Sequence, residues 1–368
     1  MNDYPFKNDD VNKGGNSVMD KDPHLQGHSA FKAGVSNQAN VPMTMTPMIR
    51  TKVRFGGAQI AITHEVKKNV ETIKRAIDWA QENKVEYLVT PEGALSGYYP
   101  GFADDEGKFN TLIKGEKEVV EYAKSKDVGL CLGTLYIAEE TVGKLKRDQI
   151  RYYNQNGIFE GSYNKIQCIG SDIVVPGKYL IPQRGDQNLE EFWGHPTVKL
   201  MAPKMPQANI VVSSMICNDL YGESEEGLAI ARSAMYSLKN RPNPAQLIIH
   251  ATYGLRGREI HEDLDPEILQ AVRDWHRCHI QQLCWFTMSD MLIVDSASNF
   301  GGYESVYDTC SPSGVCLKGK YVVKVPSKGE QYFYHDFDMQ VTDWDSDFAP
   351  EPAVLERMLR NNPVPIEE

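Results

Sequence analysis

The sequence predicts a layered α/β fold built on a mixed β-sheet. Three observations lead there. Short apolar runs of buried-strand length alternate with segments of helical period. A hairpin signal, an Asn-Gly pair flanked by alternating residues, interrupts the parallel β-α-β rhythm. The chain has 368 residues, 41% hydrophobic and 24% charged, and can bury a sizeable core without staples.

Order is expected from Val53. VRFGGAQIAI has apolar residues on alternate positions and reads as a strand. Val66, Val70, Ile73, Ile77 and Ala80 then step by three and four, which puts them on one helical stripe. VEYLVT (85–90) and VGLCLGTLYI (128–137) read as strands buried between layers, with a helix over 113–126 between them. RYYNQNGIFEGSYNKIQ (151–167) is the hairpin. From Gly170 to Pro206 five prolines predict irregular surface loops. NIVVSSMI (209–216) is a buried strand, followed by a helix over 225–239. QLIIHAT (246–252) is a strand, 265–286 a long helix and MLIVDSAS (291–298) a further strand. Short strands with turns fill 303–335. The resulting partition is a polar N-terminal extension over 1–51, one domain over 52–335, and an extended tail with a short helix over 336–368. The extension has the composition of a disordered or loosely docked segment.

The balance of 50 acidic against 39 basic residues gives a net charge of −11, and no Lys/Arg run stands out. Such a surface repels phosphate backbones, so nucleic acid is not an expected partner. No apolar run approaches membrane-spanning length. The seven scattered cysteines do not suit a disulfide scaffold, no Asn-x-Ser/Thr sequon occurs, and the N-terminus lacks an apolar signal region. A reducing, cytoplasmic location is the expectation.

Three residues share a context. Glu92 follows VEYLVT, Lys165 closes the second arm of the hairpin, and Cys217 follows NIVVSSMI. Ligands of α/β sheets gather at such strand ends. Their chemistry is complementary. An ammonium favours a thiolate, a carboxylate can take the thiol proton, and the ammonium can stabilise an oxyanion. Taken singly, each has a plainer reading: a buried cysteine as a small hydrophobe, a glutamate in a loop, a lysine at a strand edge. The combination carries the argument.

The segments VTPEGALSGY, YNKIQ and MICNDLYG, in this order, resemble the three signature regions of the carbon–nitrogen hydrolase (nitrilase) superfamily. The opening strand and helix, QLIIHAT and SPSGVCLKGK extend the resemblance over about 52–335. It implies a four-layer αββα sandwich and a Glu–Lys–Cys triad. Glu92 would be general base and acid, Lys165 the oxyanion stabiliser and Cys217 the nucleophile. The Asn218 backbone N–H would be a second oxyanion donor. Separately from the resemblance, Tyr98 follows Glu92 closely and reads either as a wall of the substrate pocket or, more plainly, as core or rim packing. It also implies a homo-oligomer, a dimer or larger. Two departures stand out. Many members carry a second Glu after the Lys, but 166–187 holds no Glu, only Asp172 and Asp186, with Gln183 near the expected spacing. Cys-Asn-Asp resembles the N-carbamoyl-D-amino-acid hydrolases, yet Leu220 and Tyr221 stand where those have two arginines.

His276, Cys278, His279 and Cys284 lie close together in DWHRCHIQQLC, but no second metal-ligand pair faces them, and helix packing is the preferred reading. Asp219 reads as the holder of the turn after Cys217. No dinucleotide or Walker fingerprint occurs, so no cofactor and no metal are expected. The function expected is hydrolysis of a small linear amide to acid and ammonia through a thioester. The alternatives are an N-carbamoyl hydrolase, a nitrilase, or an inactive scaffold that binds a metabolite and has an unreactive Cys217.

Overall fold

The computed structural model describes residues 49–97, 106–140, 143–168, 197–221, 245–253, 266–297 and 311–341. The predicted extension before residue 49, the helix at 225–239, Tyr98, Gln183 and the tail after 341 lie outside the described residues.

Strand β1 (Arg50–Gln59) alternates exposed and buried residues, then becomes fully buried as it enters the core. Helix α1 (Val66–Glu82) buries Val70, Ile73, Ile77 and Ala80 of the predicted stripe, together with Ala76, and leaves its first member, Val66, half-buried. β2 (Tyr87–Val89) is three residues long and wholly buried. α2 (Glu106–Ser125) starts several residues before the predicted helix, and it is followed by β3 (Gly129–Glu140). The hairpin strands are β4 (Gly143–Tyr153) and β5 (Phe159–Asn164). Together with β12 (Gln331–Gln340) these strands form one six-stranded sheet, in the order β12-β1-β2-β3-β4-β5. β1, β2 and β3 run parallel and the outer pairings are antiparallel.

The second sheet repeats the plan, in the order β11-β10-β9-β8-β7-β6. Its strands are β6 (Val198–Ala202), β7 (Met205–Ile216), β8 (Leu247–Thr252), β9 (Asp290–Asp295), β10 (Gly314–Leu317) and β11 (Lys320–Lys324). A single helical turn, α3 (Asn218–Tyr221), follows β7, and α4 (Pro266–Thr287) precedes β9. β7, β8 and β9 are parallel.

Three apolar clusters define the layers. One joins both sheets, with Phe55, Tyr87 and Tyr152 from the first and Ile210, Leu247 and Leu292 from the second. The next packs α1 and α2 on the first sheet, and the third packs α4 on the second. This is the αββα sandwich. Each large apolar side chain buried there contributes about 1.5–3 kcal/mol. The tyrosines between the sheets keep partners for their hydroxyls: Tyr87 donates to the Met201 carbonyl at 2.8 Å, and Tyr152 pairs with Ser214.

Two expectations are corrected. The stretch expected as loops up to Pro206 contains β6 and the start of β7. Val198, Leu200 and Ala202 alternate inward, and the flanking prolines concealed that period. The strand paired with β1 runs to Gln340, past the predicted domain edge at 335, because ten residue pairs hold the two together. No described helix is long and apolar enough to cross a membrane.

Candidate active site

Glu92 stands in the turn leaving β2. Thr90 and Gly133 clamp that turn against β3: the Thr90 N–H donates to the Cys131 carbonyl at 3.0 Å, and the Gly133 N–H to Thr90 Oγ1 at 2.9 Å. Position 133 accepts only glycine, since an added Cβ would lie 1.9 Å from the Pro91 carbonyl oxygen. Lys165 directly follows β5, and its N–H donates to the Asp148 carbonyl on β4 at 2.9 Å. Cys217 lies between β7 and α3 with φ of 45°, a left-handed backbone that costs a non-glycine residue about 1–3 kcal/mol.

The side chains converge. Lys165 Nζ donates to Glu92 Oε1 at 2.8 Å, and the Tyr253 N–H donates to Glu92 Oε2 at 2.9 Å. Both ionic groups are almost wholly buried, at 1% exposure for Glu92 and 2% for Lys165. The Cys217 thiol lies in the field of both. Asp148, also buried, brings Oδ2 to 3.7 Å from Lys165 Nζ. The ammonium therefore stands between two carboxylates. Asp148 precedes Lys165 on the other arm of the hairpin, so no motif around Lys165 marks it. The hairpin register pairs Gln149 with Asn164 and so sets Asp148 beside Lys165.

Asp219 ties the two halves of the site together. Its Oδ1 accepts the N–H groups of Ile166 at 2.9 Å and Gln167 at 2.6 Å, just after Lys165. Its Oδ2 accepts the Tyr163 hydroxyl at 2.7 Å and the Ile216 N–H at 3.0 Å, just before Cys217. Burial raises its carboxyl pKa, and these donors resist the rise. β8 grips the cysteine from the other side. The Cys217 N–H donates to the Ala251 carbonyl at 2.8 Å, and the Cys217 carbonyl accepts from His250 Nε2 at 3.1 Å. Burial pushes His250 down to about 3, so the ring is neutral and Nε2 carries the proton it donates.

Burial first, and then the Glu92 carboxylate, push the Cys217 thiol up; Lys165 and a hydrogen bond from Thr252 pull it down by less. The side chain is half-buried, but its surroundings are the buried ion pair and the inter-sheet core. A nucleophile here therefore depends on a base to take the thiol proton.

Of the histidines and cysteines of α4, His276 and Cys284 are packed. His276 stacks on Tyr221 at 4.4 Å, Cys284 is buried against Cys316, and Cys278 is exposed. Among the described residues no group of three or more His, Cys, Asp or Glu side chains is placed to hold a metal.

An αββα sandwich with a cysteine, a lysine and a glutamate brought together at its strand ends is the arrangement that the sequence resemblance to the nitrilase superfamily implies. Residues 54–224 match the family model for carbon–nitrogen hydrolases. Among solved structures, an amidase from Nesterenkonia sp. superposes with a TM-score of 0.54 at 18% identity, over 85% of this chain and 98% of that one. A variant of the Nesterenkonia sp. AN1 amidase, with the acetamide moiety of fluoroacetamide added covalently at its active-site cysteine, gives a TM-score of 0.54 at 17% identity, over 83% and 96%. A double variant of it in complex with acrylamide gives 0.53 at 17%, over 83% and 97%. At such identity the likeness establishes the fold. No curated protein sequence matches the chain.

Proposed function

We propose that this chain is a carbon–nitrogen hydrolase that cleaves a small linear amide to acid and ammonia through a thioester on Cys217. Glu92 accepts the thiol proton as sulfur bonds to the carbonyl carbon. The Lys165 ammonium and the Asn218 N–H hold the resulting oxyanion. As the C–N bond breaks, Glu92 returns its proton to the departing ammonia. Water then attacks the thioester, giving one proton to Glu92, and the sulfur leaves as the thiolate and is reprotonated by Glu92. The observation that carries this reading is the buried Lys165–Glu92 pair acting on the Cys217 thiol. The acetamide moiety of fluoroacetamide added at the cysteine of one Nesterenkonia amidase variant, and the acrylamide in complex with another, support a short aliphatic amide as substrate.

The raised thiol favours one rival, a scaffold with an unreactive cysteine. Ammonia release from acetamide, propionamide, acrylamide and N-carbamoyl compounds, with aliphatic nitriles alongside, separates the readings. The amidase reading expects release from amides and its loss in Cys217→Ala. Full activity in that variant overturns it. Release from nitriles alone identifies a nitrilase, and silence on the whole panel favours the scaffold.

A further inference from the structure

His250 is fully buried on β8, next to β7, and the chemistry above does not use it. Its Nε2–H donates to the Cys217 carbonyl at 3.1 Å, with the edge of Tyr221 against the ring at 5.2 Å. That carbonyl, which also accepts the Leu220 N–H at 3.2 Å, shares one peptide plane with the Asn218 N–H, and His250 is the side-chain donor of the two. In a planar trans peptide the two point in opposite directions, so a donor on the carbonyl fixes where the N–H aims. It also polarises the amide, which makes the N–H a stronger donor. Asn218 opens α3, so its N–H has no acceptor inside that helix.

We infer that His250 is a positioning residue that aims and strengthens the Asn218 N–H as a donor to the oxyanion. The inference rests on the acyl-transfer chemistry proposed above. Because the ring stays neutral at ordinary pH, it works as a fixed donor and not as a proton carrier.

The test compares the wild-type chain with His250→Leu and His250→Gln, whose side-chain amide can still reach the carbonyl. Two probes are used. Acylation by p-nitrophenyl acetate passes through a tetrahedral oxyanion, whereas alkylation by iodoacetamide is a direct displacement at sulfur and forms none. Losing an oxyanion donor outright costs about 10²–10³ in rate, so a misaimed one is expected to cost about tenfold in His250→Leu acylation. Alkylation of Cys217 should stay within about twofold of wild type, and His250→Gln should recover acylation to within about threefold. In protein labelled with 15N-asparagine, the Asn218 amide proton should move upfield in His250→Leu and return in His250→Gln.

A parallel fall of acylation and alkylation would mean that the cysteine turn itself has collapsed, and it overturns the inference. So does an unmoved Asn218 resonance. If the wild type is acylated by the ester but releases no ammonia from any amide, the amidase reading fails while the His250 comparison stands. If the ester does not acylate the wild type either, the Asn218 resonance decides alone.

Discussion

Asp219→Asn tests whether one carboxylate holds the two halves of the site together. Asp219 receives four donors, three of them main-chain N–H groups. The amide's NH2 does least harm on the Oδ2 side, where the Tyr163 hydroxyl can turn to accept from it. Even so, the Ile216 N–H then faces another donor and is orphaned, at a cost of about 1–3 kcal/mol. The bonds from Ile166 and Gln167 lose their charge assistance, about 1 kcal/mol each. Relief of a carboxyl that burial already disfavours trims the sum, leaving about 2–4 kcal/mol. Urea unfolding followed by circular dichroism at pH 7 measures the loss, provided the transition keeps its slope. Ile166 and Ile216 adjoin Lys165 and Cys217, so ammonia release should fall more than about tenfold, chiefly in kcat. A loss of stability under about 0.5 kcal/mol with unchanged activity would refute the argument.

Three more perturbations have worked outcomes. Gly133→Ala puts a Cβ against the Pro91 carbonyl, so the Glu92 turn must shift; about 1–3 kcal/mol or more should be lost in urea, and kcat should drop while the protein stays folded. Lys165→Met leaves Glu92 and Asp148 buried without their cation; a loss of about 3–5 kcal/mol and of ammonia release is expected, and near-native stability would show that the pair is not buried in solution. His250 makes stability depend on pH. Its folded pKa of about 3 lies below the ordinary 6.5, so its contribution is complete above pH 6.5 and is lost as pH falls towards 3. Between pH 7 and pH 5 the wild type should lose about 2 kcal/mol more than His250→Gln in urea titrations, and equal losses would contradict a buried neutral ring.

Much of the fold was legible because burial leaves a period in the chain. The stripe of α1 and the apolar runs of β2, β3, β7 and β8 are written in residues a few positions apart. β6 was not legible, since Pro196, Pro203 and Pro206 obscure a five-residue alternation. At the site, Glu92, Lys165 and Cys217 could be named because each closes a strand inside a specific motif. Asp148 depends on hairpin pairing, and the reach of His250 and Asp219 depends on which strands lie side by side.

The amino-acid order alone therefore determined the alternation of strands and helices and pointed to Glu92, Lys165 and Cys217, because these are local patterns. Tertiary structure decided the state of the thiol and the residues that hold the reactive groups in place. Those follow from distances between groups up to 161 positions apart, as between Glu92 and the Tyr253 N–H. The sign of the thiol's shift is a contest between burial and two opposite charges, and only their packing settles it.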